Sequence, residues 1–230
     1  MKIFTYLQYF FYLGFNWNFR IAFTIIGQEI KGEKKYSINT TGADELKNLS
    51  KKGIDISHAT MYMPISYLLV EEIFTQIPLK PGTHFLDIGC GKGRAMCVAA
   101  HHGYENITGV DFSKQLCDDA VANLNTTKQK FPDLQYAVII KDAMNFEIPA
   151  DVDCIFLFNP FDVIIMSAVV FNIMESAKEY PREIIVAYAN PLYEQLFLEE
   201  GFTEIFHTKE MKYLEAAILK LPTLNNTGDV

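Results

Sequence analysis

From residue 84 onward, short unbroken apolar runs alternate with longer stretches in which apolar side chains recur every three or four positions. Runs of the first kind, at residues 84–88, 107–111, 136–140, 154–158 and 184–188, predict strands; stretches of the second kind, at 94–102, 114–123, 163–179 and 192–200, predict helices. Strict alternation of this sort implies parallel strands with helices on both faces of the sheet. The end of the chain breaks the rule. The last helix stops at Gly201, and two strand-like runs, 203–207 and 214–219, flank a short charged segment, which predicts a closing antiparallel hairpin. Ahead of the alternating region, residues 64–77 place Ile65, Leu68, Leu69, Ile73 and Ile77 on one helical stripe, ended by Pro78 and Pro81-Gly82.

The first 26 residues are rich in aromatics, among them Phe10, Phe11, Tyr12, Phe15, Trp17, Phe19 and Phe23, but Gln8, Asn16, Asn18 and Arg20 interrupt the run. It stops short of the roughly 20 apolar residues that span a bilayer. A single Lys2 and no small-residue cleavage site make a poor signal peptide. One or two amphipathic helices lying on the domain, lidding its site, are expected here, with peripheral membrane contact or a dimer contact as the alternatives. Residues 27–58, with Gly32, Gly42, Gly53 and several lysines, read as a linker with at most a short helix at 43–49. The organisation expected is thus a helical extension and linker over residues 1–60, a main domain over 61–222, and a flexible tail over 223–230.

Charge and cysteine usage narrow the chemistry. With 28 acidic against 20 basic side chains the net charge is −8, a field that repels polyanions and disfavours nucleic acid as a partner. Cys90, Cys97, Cys117 and Cys154 show no C-x-x-C spacing and no histidines at zinc-ligand distance, so no metal is expected, and buried reduced thiols point to a cytoplasmic setting.

The most informative string is Phe85-Leu86-Asp87-Ile88-Gly89-Cys90-Gly91-Lys92-Gly93-Arg94, where the first strand turns into the first helix. Alternate glycines allow a tight turn and leave the backbone open to a ligand at the carboxyl edge of the sheet. A dinucleotide fingerprint, G-x-G-x-x-G, needs its third glycine at residue 94 or 96, which are Arg94 and Met96, so a nicotinamide oxidoreductase is disfavoured. The phosphate loop G-x-x-x-x-G-K-[ST] is also absent. What remains is D-x-G-x-G-x-G with an acid ahead of the turn, which suits a ligand carrying an amino-acid group: Asp87 can accept from the ammonium of S-adenosylmethionine (SAM) while amides at Gly89, Cys90, Gly91 and Gly93 face the cofactor. Asp111 closes the second strand 18 positions after Gly93, where a carboxylate can accept from both ribose hydroxyls. Phe112 beside it can pack on adenine, and Asp142-Ala143 after the third strand can meet the adenine amine.

With these residues, together with Tyr62-x-Pro64, Gly109-Val110-Asp111-Phe112-Ser113, Phe158-Asn159-Pro160-Phe161-Asp162 and Ala189-Asn190-Pro191, the chain from about residue 62 to 219 resembles the class I SAM-dependent methyltransferases, and within them a widespread bacterial group. The resemblance implies an α/β, Rossmann-like three-layer sandwich with a mostly parallel seven-stranded sheet and an antiparallel final strand. It implies SAM as cofactor and methyl transfer as reaction, and leaves open whether the acceptor is a small molecule or a protein side chain. Enzymes that methylate adenine or glutamine amides place an N-P-P-Y-like loop after the fourth strand, and only one proline stands here, in Asn159-Pro160-Phe161-Asp162.

Transfer from a sulfonium is an in-line displacement, so the protein has chiefly to align the acceptor and exclude water. Asn159 is the candidate catalytic residue, beside the transferable methyl and also counted with the cofactor site, with Phe161 as an apolar wall; alternatively Asn159-Pro160 only opens a loop and Asp162 caps the next helix. Tyr62 either closes over the methionine end of SAM or packs as a half-buried ring. His101 and His102, at a helix end, read as C-terminal cations rather than bases. The competing function is a non-catalytic SAM-binding or interaction module with the aromatic start as its partner surface.

Overall fold

In the computed structural model, residues 2–16, 18–41, 64–77, 80, 82–158, 161–210 and 214–224 are described. The expected helix at 43–49, Tyr62, Asn159 and residues 225–230 of the expected tail lie outside them. Two helices open the chain, α1 (Lys2–Asn16) and α2 (Phe19–Tyr36), followed by α3 (Tyr67–Gln76). The alternating region then gives β1 (His84–Ile88), α4 (Arg94–His101), β2 (Asn106–Asp111), α5 (Lys114–Lys130), β3 (Gln135–Ile140), β4 (Val152–Phe158), α6 (Val163–Glu179), β5 (Ile184–Ala189), α7 (Glu194–Glu199), β6 (Thr203–Glu210) and β7 (Leu214–Leu221).

One seven-stranded sheet carries the order β3-β2-β1-β4-β5-β7-β6. β1 through β5 pair in parallel, and β7 runs against both β5 and β6, so β7 is the reversed strand. This is the expected architecture. It follows from the strands' period of two: along β4, Cys154 and Phe156 enter the core on one face while Ile155 and Leu157 enter the core on the other. The first core includes side chains of α3, α4 and α5, the second those of α6 and α7. Strand order reverses between β1 and β4, and in open α/β sheets that switch point, at the carboxyl ends of the strands, is where ligands bind.

Three expectations need correction. α2 runs through Gly27 and Gly32 to Tyr36, so the linker does not begin at Gly27. A methyl at Gly32 would overlap the Tyr67 ring, so this glycine is a packing device inside a helix and not a breaker. α5 continues past residue 123 to Lys130, because Leu124 and Thr127 extend the buried stripe of Leu116, Cys117, Ala120 and Asn123 by another turn; Thr126 and Thr127 satisfy their hydroxyls on the carbonyls of Ala122 and Asn123 at 3.2 and 3.1 Å. Within α3 the buried residues are Tyr67, Leu69, Val70, Ile73 and Phe74; of the expected stripe Ile65, Leu69, Ile73 and Ile77 are buried and Leu68 alone faces solvent.

Candidate functional site

After β1 the backbone turns through Gly89, Gly91 and Gly93, with φ of 82°, 52° and 75°. An L side chain costs about 1–2 kcal/mol in that left-handed region, and at Gly93 a methyl would also sit 3.1 Å from the Cβ of Ala120 on α5. The turn is pinned to β2: the amides of Gly89 and Cys90 donate to the Val110 carbonyl at 2.8 and 3.0 Å, and Gly93 donates to the Cys90 carbonyl at 2.8 Å. The sequence therefore spends its glycines where the loop must pass closely over the sheet edge and enter α4.

Three acids stand at the carboxyl ends of the adjacent strands β1, β2 and β3. Asp87 is 3% exposed, and no donor among the described residues reaches its carboxylate. Burial first, then the neighbouring charge of Asp111, pushes its pKa well above the ordinary carboxylate value. Such an orphaned buried carboxylate suits an arriving ammonium. Asp111 is buried too, and burial raises it while the Ser113 and Gly91 amides, donating at 2.8 and 3.0 Å, pull it back. Each oxygen keeps acceptor capacity beyond these two bonds, as vicinal hydroxyls would require. Asp142 is exposed and accepts from the Met144 amide at 2.9 Å, so it caps a short 3-10 turn, Ala143–Asn145, and its second oxygen is open to an amine. Phe112 is partly exposed at the end of β2, and Ala143 is buried in the core beside Leu86 and Ile88. Cys90 is buried with its thiol against that of Cys117. The glycine loop and Asp87, Asp111 and Asp142 share the carboxyl edge of adjacent strands, a set of acceptors whose chemistry would suit a ligand carrying an ammonium and vicinal hydroxyls.

Residues that sequence patterns did not single out for the site hold it from behind. Arg94, the first residue of α4, is 3% exposed and makes a two-pronged pair with Glu29 of α2, with Nε donating to Thr40 at 2.8 Å and its guanidinium 4.0 Å over the Tyr67 ring. Thr41 donates to Glu29 at 2.7 Å. Glu33, one turn on, accepts from the amides of Thr40 and Thr41 at 2.8 and 2.7 Å and from the Tyr6 hydroxyl of α1. Burial raises Glu33, but those donors outweigh it and hold its pKa below the ordinary value. On the other side Asn123 of α5 donates to the Lys92 carbonyl at 2.9 Å and accepts from the Asn39 amide at 2.8 Å. The signal available was Glu29 and Glu33, i and i+4 on a stretch otherwise apolar on that face; Arg94 entered the reading as the end of the glycine string and as the residue that breaks the dinucleotide fingerprint.

Among the remaining candidates, Asn159 and Tyr62 lie outside the described residues. Phe161 is buried in the second core with Ile165 and Met166, and Asp162 caps α6 by accepting from the amides of Ile164 and Ile165 at 3.0 and 3.1 Å. His101 is not a cation: burial, then Lys130, Lys35 and His102, push its pKa down to about 4, and its ring packs edge-on to Tyr36 and Phe131. No helix among the described residues is long and apolar enough to cross a membrane.

Comparison with known proteins agrees with this geometry. The family described as "Methyltransferase domain" matches residues 79–223. Curated relatives named ubiquinone biosynthesis O-methyltransferase, from Coxiella burnetii strains, are 37% identical over 90 residues, which is 37% of this chain and 35% of theirs; the chain thus matches about a third of their length. Among solved structures, a protein in the NADB-Rossmann superfamily from Streptococcus agalactiae superposes with a TM-score of 0.53 at 12% identity over 72% of each chain. The StiE O-MT structure superposes with a TM-score of 0.50 at 12% identity, over 66% of this chain and 71% of its own. These two likenesses concern the fold.

Proposed function

The chain belongs to the methyltransferase domain family, and from that premise we propose that its methyl donor is SAM and that its residues divide the work as follows. SAM supplies an electrophilic methyl when bound. Asp87 takes the ammonium, Asp111 the ribose hydroxyls, Asp142 the adenine amine, and Phe112 with Ala143 the adenine faces, while the glycine loop offers the methionine portion a surface free of side chains; contrary to expectation, its Gly89, Cys90, Gly91 and Gly93 amides do not face the cofactor but donate to the Val110 carbonyl, the Asp111 carboxylate and the Cys90 carbonyl. The observation that carries this reading is the buried Asp87, without a donor among the described residues, beside Asp111 and below a loop whose glycines all adopt left-handed φ. Neither a dinucleotide pyrophosphate nor a bare phosphate would be drawn to a seat of carboxylates.

The acceptor, a small molecule or a protein side chain, enters beside the end of β4, where Asn159 orients it and Tyr62 covers the methionine end. The name of the Coxiella relatives favours the small-molecule branch and an oxygen acceptor. The four cysteines are buried free thiols, in keeping with a cytoplasmic setting. An acceptor screen with labelled SAM in cell extract tests the proposal through accumulation of S-adenosylhomocysteine. Asn159→Ala is expected to abolish turnover with SAM affinity nearly intact; normal turnover in that variant removes Asn159 from the site, and SAM binding without turnover in any extract fraction favours a non-catalytic module.

A further inference from the structure

The aromatic start of the chain turns one face inward and another outward. Tyr9, Leu13 and Ala22 close a small core between α1 and α2, and Glu29 and Glu33 go to the buried network around Arg94. The opposite face is bare. Phe4, Leu7, Phe11 and Phe15 are exposed along one stripe of α1, and Phe19, Phe23 and Ile30 along one stripe of α2, with Phe15 77% and Phe23 71% exposed. The rings run on from helix to helix: Phe11 to Phe15 at 6.2 Å, Phe15 to Phe19 at 5.7 Å, Phe19 to Phe10 at 5.7 Å and Phe10 to Phe23 at 4.8 Å between centroids. An exposed patch of this kind marks an interaction surface.

Charge decides what covers it. Residues 1–41 hold five basic side chains and two acidic ones, Glu29 and Glu33, whereas the rest of the chain holds 15 of the 20 basic and 26 of the 28 acidic residues. Both acids of the first segment are buried, while Arg20, Lys31 and Lys34 are exposed. At 100° per residue these three flank the Phe19, Phe23 and Ile30 stripe on the side away from Ala22, Glu29 and Glu33. A second copy of the chain docking face to face would set these cations against their own counterparts with no exposed acid on the segment to pair them. Protruding rings edged by cations are instead the composition of a helix lying in a membrane interface, apolar side chains at the acyl boundary and basic ones at phosphates.

We propose that the α1–α2 face is a peripheral docking surface for an anionic lipid bilayer, on which the acidic body of the molecule stands off the membrane. This does not depend on how SAM is held. It also places α2, which carries Glu29 to Arg94 at the start of α4, directly between the bilayer and the glycine loop.

The test is co-sedimentation of the full chain with phosphatidylcholine vesicles, with and without phosphatidylglycerol, alongside the Phe15→Ser/Phe23→Ser double variant and Arg20→Glu. Because these side chains are exposed, circular dichroism and SAM binding should match the wild type. Binding to the phosphatidylglycerol vesicles, weakened by salt, at least about tenfold weaker in the double variant and weaker in Arg20→Glu, is the expected result. Failure to sediment with either vesicle, equal sedimentation with neutral and anionic vesicles, indifference to the substitutions, or a wild-type dimer that the double variant dissolves would each overturn the proposal.

Discussion

Asp87 is held where its charge is costly, and either a proton or a cationic ligand relieves that cost. Its pKa is raised by burial, so the folded chain keeps the proton where the unfolded chain has lost it, and the stability of the apo protein falls as pH climbs from the ordinary carboxylate value through the raised one. Asp87→Asn is therefore expected to melt at a higher temperature than wild type at neutral pH. It should also bind SAM at least about tenfold more weakly, since a charge-assisted bond is lost. Wild-type affinity should rise with pH across the same interval and the variant's should not; calorimetric titrations at several pH values check both. The Glu29–Arg94 pair makes a different demand. Glu29→Ala leaves a guanidinium buried without its counter-charge, a loss of about 3–5 kcal/mol of stability in chemical denaturation, whereas replacing both residues with methionine should recover most of it. Asp87 and Asp111 were legible as acids closing consecutive strands. Arg94 was not, because its partner lies 65 residues upstream and no local spacing joins the two.

At the scale of elements, the sheet could be read because β strands buried on both faces are driven to be apolar along their length, as Val152–Phe158 nearly is. α2 was cut short in the reading for the opposite reason. Its Gly32 and its lysines carry the composition of a linker, and only the Tyr67 ring seated against Gly32 explains why the helix continues. Hydrophobic periodicity found α3 and its buried face but counted Leu68 into it, since Leu68 is apolar and exposed. The β6–β7 hairpin supplies a pH prediction. His207 lies between Glu204 at 2.8 Å and Glu215 at 3.1 Å, and the bond to Glu204 leads the effects that raise its pKa. Its contribution is full below the ordinary histidine value near 6.5 and is lost as pH rises through the raised one. His207→Gln should consequently destabilise the chain slightly at pH 6 and leave it unchanged at pH 9, read from thermal unfolding at the two values; an equal loss at both would mean packing and not charge.

For the whole molecule, the sheet order fixes where chemistry can occur. The reversal between β1 and β4 opens one crevice, the glycine loop lies on one side of it, and the acids of β1, β2 and β3 continue the seat away from the β4 side. The N-terminal helices do not hang from this body; Arg94 holds Glu29 and Thr40, and Asn123 holds Asn39, which ties the segment to the start of α4 and to α5. The glycine loop and the strand-end acids were legible because they are local signals, whereas Asn159 and Tyr62, on which the proposed acceptor side rests, lie outside the described residues. The claim on which everything rests is that the strand-end carboxylates seat SAM, and calorimetric titration of wild type and Asp111→Ala with S-adenosylhomocysteine tests it most directly. Saturable one-site binding by wild type, weakened at least about tenfold in the variant, is the predicted result; equal affinity in the two proteins, or no binding by the wild type, would contradict it.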